Sequence, residues 1–224
     1  MDVRFINDVV VPWSALNVFL ADRFAFPPDV SCVTRDAISI AVSIKHQAES
    51  VAASRIPSLA AVEPELRRGV VDAGSFANKL MSDVADAAKH QTSLRKAGRK
   101  NTLRVEAAFE YDAMNRFRFL RNQIAVTHAT HGEFDFMVES ASAIRYWLKN
   151  LGIRGPWDGT LALGKNEFYQ TAFLYYHPDH QVVMKRISLS FHQRASSGEL
   201  VLGYPPEIIF AVYDHPSCGA PATK

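Results

Sequence analysis

Cysteine is scarce: the chain of 224 residues holds two, Cys32 and Cys218, near opposite ends and outside any Cys-x-x-Cys spacing. That excludes a disulfide scaffold and a zinc ribbon, and makes a reducing cytoplasm the default location. An excess of one charge is also missing, with 25 Lys+Arg against 23 Asp+Glu and a net charge of +2. Affinity for nucleic acid or for an anionic surface therefore has to come from local clustering. No run approaches the roughly 20 apolar residues that span a bilayer. The most apolar stretch, Val9 to Ala21, follows Asp2 and Asp8, is interrupted by Asn17 and is closed by Asp22 and Arg23. It reads as neither a signal peptide nor an anchor, so no membrane partner is expected.

Diagnostic motifs and internal repeats are missing too. There is no G-x-S-x-G elbow, no H-E-x-x-H and no cysteine beside a histidine. Gly159, Gly164 and Lys165 fall at P-loop spacing, but Asn166 stands where the metal-binding Ser or Thr belongs and an aromatic strand pattern follows, which excludes a nucleotide loop. No cofactor is assigned.

What is present is a hydrophobic content of 48%, enough for a substantial core in one large domain or two small ones. The strongest periodicity runs from Pro64 to about Gly98, where Leu66, Val70, Ala73, Ala77, Leu80, Val84 and Ala87 recur in steps of three and four. That spacing predicts one long helix with a buried apolar face, Pro64 sitting in its first turn. Earlier helices are expected from Pro12 to Phe24, ended by a turn at Pro27-Pro28-Asp29, and from Thr34 as N-cap to Ser54. Leu103 to Glu110 alternates in period two and reads as a strand. Arg116 to Thr130 fits both a strand and a helix face, with strand favoured. A further helix starts at an Asp135 cap, packs Met137, Ala141, Ile144, Leu148 and Leu151, and ends before Gly152. Beyond the break at Gly155 to Gly159, strands are expected at Glu167 to Tyr176, Val182 to His192 and Glu207 to Tyr213, with turns at His177 to His180 and Ser196 to Glu199. The expected fold class is α+β: a helical bundle with an inserted β-hairpin over 1–154, a small antiparallel sheet over 155–216, and a disordered tail over 217–224.

Three groups of residues could carry chemistry. Lys79, Asp83, Asp86 and His90 share one stripe opposite the apolar face, and Lys89, Arg95, Lys96, Arg99, Lys100 and Arg104 follow with no acid between Asp86 and Glu106. The stripe reads as a solvated or partner-facing edge, and Lys89, His90 and the basic run as a surface for RNA or DNA phosphates, or for an acidic protein partner. His128 with His131, and His177 with His180, are two H-x-x-H pairs that could hold a borderline metal if their turns met. Nothing in the sequence brings those turns together, and no metal site is assigned.

Arg121, Asn122 and His128 form the third group. An Arg, a polar residue and then a His, with six residues between Arg and His, resembles the signature of the HEPN superfamily, small helical bundles that include metal-independent ribonucleases of bacterial defence and toxin systems. The stretch from Asp83 through Asp86 to Lys89 and His90 is loosely similar to helix endings in bacterial proteins of that kind. The resemblance implies that Arg121 and His128 meet in a dimer cleft and act on the scissile phosphate and its 2′-hydroxyl, Arg clamping charge and His moving a proton. That arrangement requires a helix, because on a strand positions seven apart fall on opposite faces. The expected function is a non-catalytic binding or assembly protein, bacterial or phage-derived, cytoplasmic and homo-oligomeric. The alternative is a HEPN-like ribonuclease using Arg121 and His128.

Overall fold

The structure, a computed structural model, describes residues 3–22, 27–89, 101–114, 117–164 and 188–205. The chain begins with one continuous helical rod made of α1 (Val3–Phe5), a π-helical turn (Ile6–Val10) and α2 (Val11–Asp22). Contrary to the sequence reading, the rod's 20 residues are long and apolar enough to span a bilayer by length and composition, with a mean hydropathy of 1.2. In this fold its apolar side is packed inward: Trp13 is fully buried and its indole N–H donates to Ser140 Oγ at 2.8 Å. An indole N–H placed in a core needs such a partner.

α3 (Pro27–Gln47) starts seven residues before the expected Thr34 cap. Prolines are tolerated in a first helical turn because their missing N–H would have been unpaired anyway, so Pro27 and Pro28 open the helix where a turn was expected. Thr34 lies inside the helix, its hydroxyl donating to the Val30 carbonyl at 2.8 Å. Two short turns, α4 (Val51–Ser54) and α5 (Pro57–Ala60), then lead to α6 (Pro64–Gly74) and α7 (Phe76–Lys89).

α6 and α7 replace the single long helix. Ser75 is extended between them, and its hydroxyl accepts the Asn78 backbone N–H at 3.3 Å, capping α7 afresh. The break rotates the first half of the expected apolar stripe out of the core. Leu66 and Val70 are exposed and α6 buries Val71 instead, whereas Ala77, Leu80 and Val84 on α7 are buried as expected.

β1 (Asn101–Tyr111) and β2 (Phe117–His128) form an antiparallel hairpin with a bulge at Phe119 to Arg121, and β3 (Gly132–Asp135) continues it. The strand reading of the stretch from Arg116 to Thr130 holds for Phe117–His128, with Thr130 in the turn that follows and Arg116 outside the described residues. Asp135 then caps α8 (Phe136–Asn150), its Oδ1 accepting from the Met137 and Val138 amides at 2.7 and 3.2 Å. Gly152, at φ 64°, closes α8: its N–H donates to Lys149 O, and that of Ile153 to Leu148 O. Those paired bonds satisfy carbonyls the helix end would otherwise leave open.

After a short α9 (Trp157–Thr160), β4 (Ser188–Arg194) runs parallel to β1 and β5 (Leu200–Leu202) pairs antiparallel with β4. The late strands therefore join the hairpin in one mixed sheet, ordered β3-β2-β1-β4-β5, instead of building a sheet of their own. The turn at Ser196 to Glu199 is present, with Ala195 N–H donating to Glu199 O. The expected strands at 167–176 and 207–213, the first part of 182–192, the turn at 177–180 and the tail at 217–224 lie outside the described residues. The α+β class stands, with helices packed on the sheet face that carries Val105, Ile124 and Val126.

Candidate functional site

α7 places Lys79, Asp83 and Asp86 on one face, as the helical spacing requires, but that face is turned inward. Asp83 and Asp86 are 7% and 5% exposed, so the expected solvent-facing stripe is a buried charged seam. Buried carboxylates need partners, and each has them. Asp86 takes Lys45 Nζ from α3 and Arg68 Nη2 from α6, the latter at 2.7 Å. Arg68 also approaches Asp72 at 3.5 Å, and Ser82 Oγ donates to Asp72 Oδ1 at 3.0 Å. Burial by itself would raise the Asp86 pKa, but Lys45 and Arg68 outweigh it and hold the group below its ordinary value. At Asp72 burial prevails over Ser82 and Arg68, and the pKa is raised.

His128 closes β2 and faces this seam. Its Nδ1 accepts two backbone N–H groups of the following turn, from Thr130 at 3.1 Å and His131 at 3.2 Å. A nitrogen that accepts twice carries no proton, so the ring proton is on Nε2 and is donated to Asp83 Oδ2 at 3.2 Å. The same carboxylate oxygen takes Lys79 Nζ at 2.7 Å, and that ammonium lies 3.1 Å from His131 Nε2. An ammonium can only donate, so His131 Nε2 is the acceptor and its proton is on Nδ1. Burial lowers the His128 pKa, opposed by Asp83 and aided by the neighbouring His131 and the Lys79 ammonium. Arg68, Asp72, Lys79, Asp83, His128 and Thr130 border an open cavity of about 440 Å³.

The structure thus joins two of the sequence signals, the α7 stripe and the first H-x-x-H pair, and separates the third. From Arg121 to His128 the β1–β2 register is regular, so the two residues lie on opposite faces of β2. Arg121 is buried, with Nε donating to Asn122 O and Nη1 to Gly164 O, both at 3.0 Å, and Nη2 directed at Asn17 Oδ1 at 3.5 Å. Burial lowers its pKa, partly offset by Asp135. The Arg–His pairing that the HEPN resemblance implies is not assembled within the chain.

Of the basic surface, Lys89 ends α7 and Arg104 lies on β1, where Glu106 and Glu133 hold its guanidinium. His90, Arg95, Lys96, Arg99 and Lys100 lie outside the described residues, as do His177, His180, Lys165 and Asn166. Sequence reasoning missed Lys45, Arg68 and Asp72. Lys45 had a signal: it falls on the buried stripe of α3 between Ala41 and Ala48, a position where a cation demands a buried partner. No family model, no curated protein and no solved structure matches the chain.

Proposed function

We propose that the protein is a non-catalytic binding protein that contacts the phosphate backbone of nucleic acid through the basic stretch leading out of α7. The observation that carries this reading is the commitment of His128, the histidine that borders the cavity, to partners within the fold. His128 is held in one tautomer by two backbone amides and passes its remaining proton to Asp83, so it has no lone pair free to take a proton from a substrate. The α7 acids are paired with Lys45, Arg68 and Lys79, and the sequence that follows carries no acid between Asp86 and Glu106. Arg104 is committed to Glu106 and Glu133, so the contact surface is assigned to Lys89, Arg95, Lys96, Arg99 and Lys100.

A ribonuclease built on Arg121 and His128 is the competing reading, and the commitment of the Arg121 guanidinium to backbone carbonyls weighs against it. Incubating the purified protein with total RNA, beside a His128→Ala variant, tests the choice. Intact RNA that is retained at low salt and released as salt rises agrees with the proposal. Cleavage by the wild type that the variant lacks sinks it.

A further inference from the structure

We propose that Asp83 and His131 form a site for a divalent metal ion of the zinc class, which the Lys79 ammonium fills while no metal is bound. The site already selects for a cation. Lys79 Nζ sits between a carboxylate oxygen at 2.7 Å and an imidazole nitrogen at 3.1 Å, the two donor types that borderline metals prefer. The donor atoms of Asp83, His128 and His131 all lie within 4.8 Å of one another.

Each group meets a requirement of metal ligation. His131 is exposed and carries its proton on Nδ1, so the Nε2 lone pair is the one directed at Lys79 and available to a metal in its place. Among the described residues no hydrogen bond reaches Asp83 Oδ1, which leaves one carboxylate oxygen open beside the cavity. His128 does not become a ligand. A metal on its Nε2 would force the ring proton onto Nδ1, against the Thr130 and His131 amides. It acts as a positioning residue, its Nε2–H on Oδ2 fixing the carboxylate that binds the metal, as hydrogen bonds to ligating carboxylates do.

Ligand atoms around one tetrahedral ion stand roughly 3.3 Å apart, so His131 must draw in as the metal enters, and its place in the exposed turn allows this. The cavity of about 440 Å³ supplies water for the remaining coordination positions and room for the leaving ammonium. Lys79, whose side chain is 40% exposed, swings to solvent still protonated, so no covalent bond changes.

Titration calorimetry with Zn²⁺ on the full chain tests the site, with circular dichroism confirming that each variant is folded. Removing the competing ammonium in Lys79→Met is expected to tighten Zn²⁺ binding about tenfold, which corresponds to about 1.4 kcal/mol. His131→Ala, at an exposed position, is expected to weaken it about tenfold or more, and to cancel the gain when added to Lys79→Met. Lys79→Met binding no tighter than wild type, His131→Ala binding unchanged, or no binding by either wild type or Lys79→Met would overturn the proposal. The readout is independent of RNA retention, so its failure leaves the nucleic-acid reading intact.

Discussion

His128 Nε2 and Asp83 Oδ2 lie 3.2 Å apart, linking the last residue of β2 to the middle of α7. Both side chains are almost fully buried, and the turn that follows His128 fixes the ring by donating two backbone N–H groups to its other nitrogen. The contact ties sheet to helix through a neutral imidazole and an ionised carboxylate. Its dependence on His128 staying neutral gives it a pH signature.

Burial lowers the His128 pKa below its ordinary value of 6.5, so the unfolded chain takes up this proton more readily than the folded one. The stability the neutral ring contributes is present in full above that ordinary value and is lost as pH falls through the folded one. Urea denaturation between about pH 7.5 and about pH 5 should show falling stability, with a shallower slope in His128→Gln. An identical slope in the variant would assign the acid sensitivity to other groups.

Asp86 and Asp72 should respond unequally to neutralisation. Asp86→Asn leaves the buried Lys45 without its carboxylate and takes one of two acids from the half-buried Arg68, and is expected to cost about 3–5 kcal/mol. Asp72→Asn keeps an acceptor for Ser82 and removes a charge that burial already disfavours, so a change within about 1 kcal/mol is expected. Denaturant midpoints of the two variants make the comparison, and equal losses would contradict it.

The start of α8 rests on a single cap. Asp135→Ala should destabilise the fold by about 1 kcal/mol by leaving the Met137 and Val138 amides without an acceptor, and Asp135→Asn should recover most of that loss. Thermal unfolding of the two variants side by side measures the recovery.

Local signals carried the parts of the fold that local chemistry decides. The Asp135 cap, the Gly152 stop and the alternation in β1 depend on a few neighbouring residues and were legible, whereas β2 fitted a helix face as well as a strand. The break at Ser75 was missed because the apolar spacing runs unbroken across it and outweighed the Gly74-Ser75 pair, a stop and an N-cap that the Ser75 hydroxyl fulfils by accepting the Asn78 amide. Periodicity placed Lys79, Asp83 and Asp86 on one stripe correctly but assumed that charge faces water. Lys45 and Arg68, from two other helices, reverse that assumption, and pairing between distant elements leaves no local pattern. The parallel β1–β4 pairing was hidden for the same reason.

The central claim, nucleic-acid binding without catalysis, is tested most directly by a native-gel shift on labelled single-stranded RNA, with the recovered RNA checked for length. Wild type should shift the RNA intact, with affinity falling about tenfold or more between about 50 mM and about 200 mM salt. Combining Lys89→Gln, Arg95→Gln, Lys96→Gln, Arg99→Gln and Lys100→Gln should abolish the shift, while Arg104→Gln, whose guanidinium is held by Glu106 and Glu133, should leave it in place. A shift that survives the five substitutions, or RNA recovered in fragments, would contradict the account.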